Sequence, residues 1–160
     1  MIFCEAGPDD VPVLLTLIRE LAAFERAPEA VKMSEAQLHE GLFGPEALAE
    51  ALLVKIDGVP QAMAIWGRSF NTWTGRPGMA IEDVYVREAC RGRGVGKAIF
   101  AHLAGLAVQR GYLRVDWQVL DWNETAIRFY DALGAQAQPE WLKYRLSGAA
   151  LQAAANQGAK

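Results

Sequence analysis

The stretch that most constrains this chain is MAIEDVYVREACRGRGVGKAIFAHLAGLAVQRG, residues 79–111. Its first eight residues are apolar on both faces apart from two carboxylates, the pattern of a central strand. From Gly94 to Arg110 the apolar residues Val95, Ile99, Leu103 and Leu106 recur at spacings of three or four, which predicts a helix ended by Gly111. Between strand and helix lie Arg91, Gly92, Arg93, Gly94, Gly96 and Lys97. Glycines at positive φ would explain a plain turn. They do not explain Arg91, Arg93 and Lys97. A loop that enters a helix N-terminus presents unpaired amides and the positive end of the helix dipole, so the expected ligand is a phosphate or pyrophosphate.

Two familiar phosphate loops fail on spacing. A Walker A loop would need Gly where Arg91 stands and Ser or Thr where Ala98 stands, and a dinucleotide fingerprint would need its third glycine at Lys97.

The remaining segments read as one α/β domain. MIFCEA is a first strand, and Val13, Leu14, Leu17, Ile18 and Leu21 mark an amphipathic helix capped by Asp9 or Asp10. Ser34 and Gln37 form a capping box for a helix over EAQLHEGLF. Asp57 and Gly58 join two apolar runs in a hairpin, and NTWTGRPG is a loop. LRVDWQV alternates as a half-buried strand, ETAIRFYDALG is a helix capped by Asn123, and EWLKYRL is a last strand. A domain over 1–147 is expected, with 148–160 a frayed helix or disordered tail.

Composition limits the partners. With 160 residues, 52% of them hydrophobic, the chain suits one compact domain with a sizeable core. A net charge of −3 makes the basic loop local, against broad nucleic-acid binding and in favour of a cationic substrate. Cys4 and Cys90 form no CxxC, and with only His39 and His102 beside them neither a metal site nor a disulfide is signalled, so a reducing cytoplasm is expected. The start MIFCEAGPDDVP does not read as a signal peptide, and no apolar run reaches membrane-spanning length.

The pattern of Arg91, two residues, Gly94, one residue, Gly96, placed after a carboxylate-bearing strand, resembles that of the GNAT-type N-acetyltransferases. LIRELAAFERAPEAVKMSEAQLHEGLFG, AIEDVYVREACRGRGVGKAI and WQVLDWNETAIRFYDALGA resemble segments of their spermidine/spermine and thialysine branch. The resemblance implies a GNAT fold: a single domain with a central mixed, mostly antiparallel sheet flanked by helices. It also implies acetyl-CoA as cofactor and a small-molecule primary amine as substrate. By position, the backbone of Val84, Tyr85 and Val86 would meet the pantetheine arm. Arg91, Gly92, Arg93, Gly94, Val95, Gly96 and Lys97 would meet the pyrophosphate, with Asn123 nearby. Glu25 and Trp73 would contact the amine, Glu82 would bind it or deprotonate it through water, and Tyr130 would protonate the departing thiolate. A homodimer is implied as well, and the aromatic-rich AIWGRSFNTW suits an interface.

Acetyl transfer to an amine needs a deprotonated nucleophile and a proton for the leaving thiolate. Strand alternation places Glu82 with Ala80, Val84 and Val86, so its carboxylate is expected in apolar surroundings that suit a base, with Asp83 on the opposite face the weaker candidate. A carboxylate paired with a core arginine is the structural alternative. Helical spacing from Ile127 to Leu133 puts the Tyr130 ring on an inward stripe, equally consistent with a buried core tyrosine. Capping alone would also explain Asn123. Asn71, where the polyamine enzymes tend to carry an acid, leaves a diamine, a polyamine and a thialysine-like amino acid all open. A protein or peptide N-acetyltransferase and a non-catalytic acyl-CoA sensor are the alternatives.

Overall fold

The computed structural model describes residues 1–157. These form two compact units that divide between Leu120 and Asp121.

The first unit is a five-stranded sheet with helices on both faces. In chain order it contains β1 (Ile2–Glu5), α1 (Val11–Phe24), α2 (Glu35–Phe43), β2 (Glu50–Ile56), β3 (Val59–Asn71), β4 (Arg76–Val86), α3 (Val95–Gln109) and β5 (Val115–Asp116). The spatial order is β1-β2-β3-β4-β5; the first three pairings are antiparallel and β4 pairs β5 in parallel. This is the mixed, mostly antiparallel sheet that the family resemblance implies.

Local chemistry explains most element ends. Ser34 Oγ accepts the Gln37 N–H at 3.2 Å while Gln37 Oε1 accepts the Ser34 N–H at 2.9 Å, the reciprocal box that starts α2. Asp57 (φ 52°) and Gly58 (φ 79°) give the left-handed pair that a two-residue hairpin loop needs. At α1 the outcome differs in detail. Asp10 occupies the cap position, but its carboxylate accepts the Gly7 N–H at 3.0 Å, because a 3-10 turn over Pro8–Asp10 directs the side chain back along the chain.

Cross-strand partners share a sheet face. Leu53 pairs Met63, and Met63 pairs Tyr85; these pack with Leu14, Leu17, Leu38 and Leu42 of α1 and α2. On the opposite face Val54 pairs both Phe3 and Ala62, and Phe3 stacks on His102 of α3 at 4.9 Å, which places α3 there. Fully buried leucines such as Leu14 and Leu103 contribute roughly 1.5–3 kcal/mol each by burial.

Two predicted strands are corrected. LRVDWQV forms a ladder only at Val115 and Asp116, opposite Met79 and Ala80, and Leu113 and Val119 are exposed. EWLKYRL is not a strand, and Leu142, Tyr144 and Leu146 are exposed. Alternation describes a surface, whereas a strand exists only where a neighbour completes its hydrogen bonds. No neighbour pairs with residues 140–146 among the described residues.

The second unit holds α4 (Glu124–Ala132) and α5 (Gly148–Gln157). Asn123 Oδ1 accepts the Ala126 N–H at 3.2 Å, so the cap is formed. At the other end Gly134 (φ 84°) allows the Ala135 N–H to reach the Tyr130 carbonyl at 3.1 Å. The expected tail contains the exposed helix α5, and its last three residues lie outside the described residues. Among the described residues no helix is long and apolar enough to cross a membrane, and no group of three or more His, Cys, Asp or Glu could hold a metal ion.

Candidate active site

The expected base sits at an irregularity of the sheet. Ala64 pairs Val84 and Ile65 pairs Asp83, but Trp66 pairs Ile81, so Glu82 is the extra residue of a β-bulge in β4. The bulge breaks strict alternation. Asp83, opposite Ile65, faces the α1 and α2 side with Tyr85, while Val84 and Val86 face α3. Two residues rather than one therefore separate Ile81 from Val84 on that side.

This corrects the expectation for the two acids. Glu82, the unpaired residue of the bulge, is exposed rather than set among apolar side chains. The carboxylate in apolar surroundings is Asp83. Its pKa is pushed up to about 6, first by burial and then by the negative charges of Glu25 and Glu82. No cation pairs with Asp83 among the described residues. The sequence signal was two adjacent acids in an otherwise apolar strand, but only the pairing register shows which one is turned toward the core.

Glu25 reaches this cluster from the C-terminus of α1. The Ala27 N–H bonds the Ala22 carbonyl at 2.8 Å and the Arg26 N–H bonds the Ala23 carbonyl at 3.1 Å, a Schellman closure. Arg26 occupies the left-handed position usually given to glycine, at φ 62°. Burial raises the pKa of Glu25 as well. Glu25, Glu82 and Asp83 thus form one negative cluster, able to hold an ammonium group and accept its proton.

Trp73 is not brought to that cluster. It lies in the turn between β3 and β4, 84% exposed, with its N–H bonded to Asn71 Oδ1 at 2.9 Å. Asn71 lies six positions along β3 from Ile65, the partner of Asp83, a strand length of about 20 Å. Asn71, which departs from the polyamine pattern, caps this turn.

On the α3 side of the strand end, the loop is as the sequence predicts. Gly92 and Gly94 take φ 70° and 78°, with open space where a Cβ would stand. Gly94 caps α3 without a side-chain bond, and the first helical bond runs from the Ala98 N–H to the Gly94 carbonyl at 3.0 Å. The amides of Val95, Gly96 and Lys97 therefore end the helix without intrahelical partners. Exposed Arg93 and Lys97 flank them, with no ion pair among the described residues. These residues fit the pyrophosphate of coenzyme A.

Arg91 does not stand with those two cations. Its Nε donates to the Val86 carbonyl at 2.9 Å, and its guanidinium carbon lies 4.4 Å from the Phe24 ring centroid and 5.7 Å from that of Tyr85. Close by, Arg87 grips Glu20 through Nε and Nη2 at 2.9 and 2.7 Å and donates to the Pro60 carbonyl at 3.1 Å. That contact holds the Glu20 carboxyl below its usual range. Spacing alone does not separate Arg91 from the loop's other cations, Arg93 and Lys97.

Tyr130 and Asn123 belong to the second unit. Tyr130 is half-buried rather than buried, since α4 has no fully buried residue, and its ring lies 5.4 Å from that of Phe129.

The acetyltransferase (GNAT) family profile matches residues 14–135. The chain is 36% identical over 159 residues to a thialysine N-epsilon-acetyltransferase of Bos taurus, covering 92% of this chain and 93% of that one. It is 30% identical to an L-ornithine N5-acetyltransferase of Arabidopsis thaliana, covering 92% of this chain and 85% of the relative. Among solved structures, an integron cassette protein of V. cholerae superposes with a TM-score of 0.81 at 23% identity, covering 96% of both chains.

Proposed function

We propose a function from one premise: this chain belongs to the GNAT acetyltransferase family. It is an acetyl-CoA-dependent enzyme that acetylates the terminal primary amine of a small molecule carrying a second polar or charged end. The observation that carries this reading is the half-buried Asp83 with Glu25 and Glu82 beside it. Three clustered carboxylates select a cation. The relatives named for the ε-amine of thialysine and the N5 amine of ornithine favour an ω-amino acid over a polyamine.

When bound, acetyl-coenzyme A supplies the acetyl thioester. The amides from Gly92 to Lys97, with Arg93 and Lys97, hold its pyrophosphate, and the backbone of Val84, Tyr85 and Val86 holds its pantetheine arm. Asp83 is the base. An alkyl ammonium with a pKa near that of lysine, about 10.4, is protonated at neutral pH and must lose a proton before or during attack. A carboxylate poised near 6 accepts it better than an exposed one. Glu82 guides the ammonium or an intervening water, and Glu25 holds a distal cation. The Tyr130 hydroxyl is the proton donor at the leaving sulfur.

An acetyl-CoA turnover screen over lysine, thialysine, ornithine, diamines, polyamines and short peptides tests this. The ω-amino acids and short diamines should give the highest kcat/KM. A preference for peptide N-termini would move the chain to the protein-directed class, and coenzyme A binding without turnover on any amine would make it a sensor. The same reading includes a homodimer, supported by the exposed aromatic residues Phe70 and Trp73, and a reducing compartment, supported by the free thiols of Cys4 and Cys90. Light scattering should give about twice 17.5 kDa; the monomer mass removes the dimer.

A further inference from the structure

Two arginines brace one face of α1 from the strand end. Arg87 holds Glu20, and Arg91, four residues later, lies over Phe24, one helical turn beyond Glu20. The short 3-10 turn over Glu88–Cys90 sets the spacing between them. Arg91 consequently touches three things at once: the last residue of β4 through the Val86 carbonyl, the last residue of α1 through the Phe24 ring, and Gly92, which opens the anion loop. Phe24 directly precedes Glu25, the acid whose charge reaches Asp83.

We infer that Arg91 is a positioning residue rather than a phosphate ligand: it ties the anion loop to the acid-bearing end of α1, so that coenzyme seating and amine binding are coupled through Phe24. The inference rests on the acetyltransferase reading and deepens it. A guanidinium suits the task because its plane stacks on a ring while an edge N–H bonds a carbonyl; an ammonium cannot do both in this geometry. The division of labour leaves Arg93 and Lys97 as the loop's cations for the anion. It also gives the strained end of α1, with Arg26 at positive φ, a second anchor beside its Schellman closure.

Arg91→Lys, Phe24→Leu and the double variant separate the possibilities. Phe24→Leu removes the ring and leaves every cation in place. Two readouts apply: the coenzyme A Kd by calorimetry, and the amine KM and kcat with S-acetylpantetheine, a donor lacking the pyrophosphate. Each single variant should weaken coenzyme A binding and raise the amine KM with the short donor about three- to tenfold, with kcat nearly constant, the scale of one cation–π contact. The double variant should be no worse than the poorer single one. If Phe24→Leu leaves both constants at the wild-type values while Arg91→Lys weakens only coenzyme A, Arg91 is an ordinary phosphate ligand and the coupling is wrong. A wild-type protein that turns over no amine defeats the acetyltransferase reading instead, and the two Kd values still decide whether Phe24 and Arg91 act as one unit.

Discussion

The anion loop and the acid cluster meet at the end of one strand, yet they are made in opposite ways. The loop offers backbone amides, fixed by two glycines at positive φ and by the start of α3. The cluster offers side chains from two separate segments, and one of them is half-buried because a bulge at Glu82 turns Asp83 toward α1 and α2. A site made of main chain tolerates side-chain change as long as the chain path survives. A site made of buried carboxylates depends on charge and desolvation, and it reduces stability at the pH where it works.

The largest effect should come from Asp83→Asn. Loss of a general base lowers kcat by roughly 10²- to 10⁴-fold, and the wild-type kcat/KM should fall as pH drops below about 6 because protonated Asp83 accepts no proton. The same substitution should stabilise the fold. A carboxyl whose folded pKa lies above its unfolded value near 4 favours folding below pH 4, and that stability is lost as pH rises through about 6, so a neutral Asn should gain roughly 1–3 kcal/mol at pH 8 and nothing at pH 3.5. Turnover and urea unfolding at several pH values check both halves. An Asp83→Asn enzyme with full kcat, beside an inactive Glu82→Gln enzyme, would return the base to Glu82 and erase the contrast between exposed and buried acids.

Tyr130→Phe keeps the ring and deletes only the hydroxyl proposed as the proton donor. Turnover should fall by roughly 10²-fold or more while the calorimetric coenzyme A affinity stays put. Unchanged turnover would leave Tyr130 as a packing residue of α4.

For the loop, Gly94→Val puts a β-branched residue at φ 78°, a strain of about 1–2 kcal/mol that the chain relieves by leaving the left-handed region and misaiming the amides. Coenzyme A should bind about tenfold more weakly, with the amine KM measured on S-acetylpantetheine unchanged. Equal losses at both would show that the two ends are less separate than their construction suggests.

The smallest effect is Glu25→Gln. Glu25's charge helps hold Asp83 protonated, so removing it should move the acid limb of kcat/KM to lower pH by a fraction of a unit. It should also raise KM for a dicationic amine a few-fold at low salt, an effect that fades as ionic strength rises. An unmoved acid limb would disconnect Glu25 from Asp83.

Much of the molecule was legible without coordinates because its signals are local. The capping box at Ser34, the turn at Asp57 and Gly58, the cap at Asn123 and the glycine loop each depend on a few neighbouring residues, and each formed as read. Arg91 shows the limit: as a loop cation it resembles Arg93, and its contacts with the Val86 carbonyl and the Phe24 ring, the latter distant in sequence, distinguish them. The apolar alternation in 113–119 and 140–146 was equally plain, but it became strand only at Val115 and Asp116.

The sequence by itself thus determined the order of elements from β1 to α4, the glycine loop before α3 and, through its motifs, the family. Tertiary structure alone decided which acid is shielded from solvent, where Trp73 stands and what Arg91 holds. The physical reason is that helix periods, caps and turns are set by residues within one or two turns of each other, whereas burial, strand register and the partner of a long cationic side chain are properties of segments that meet only in the folded chain.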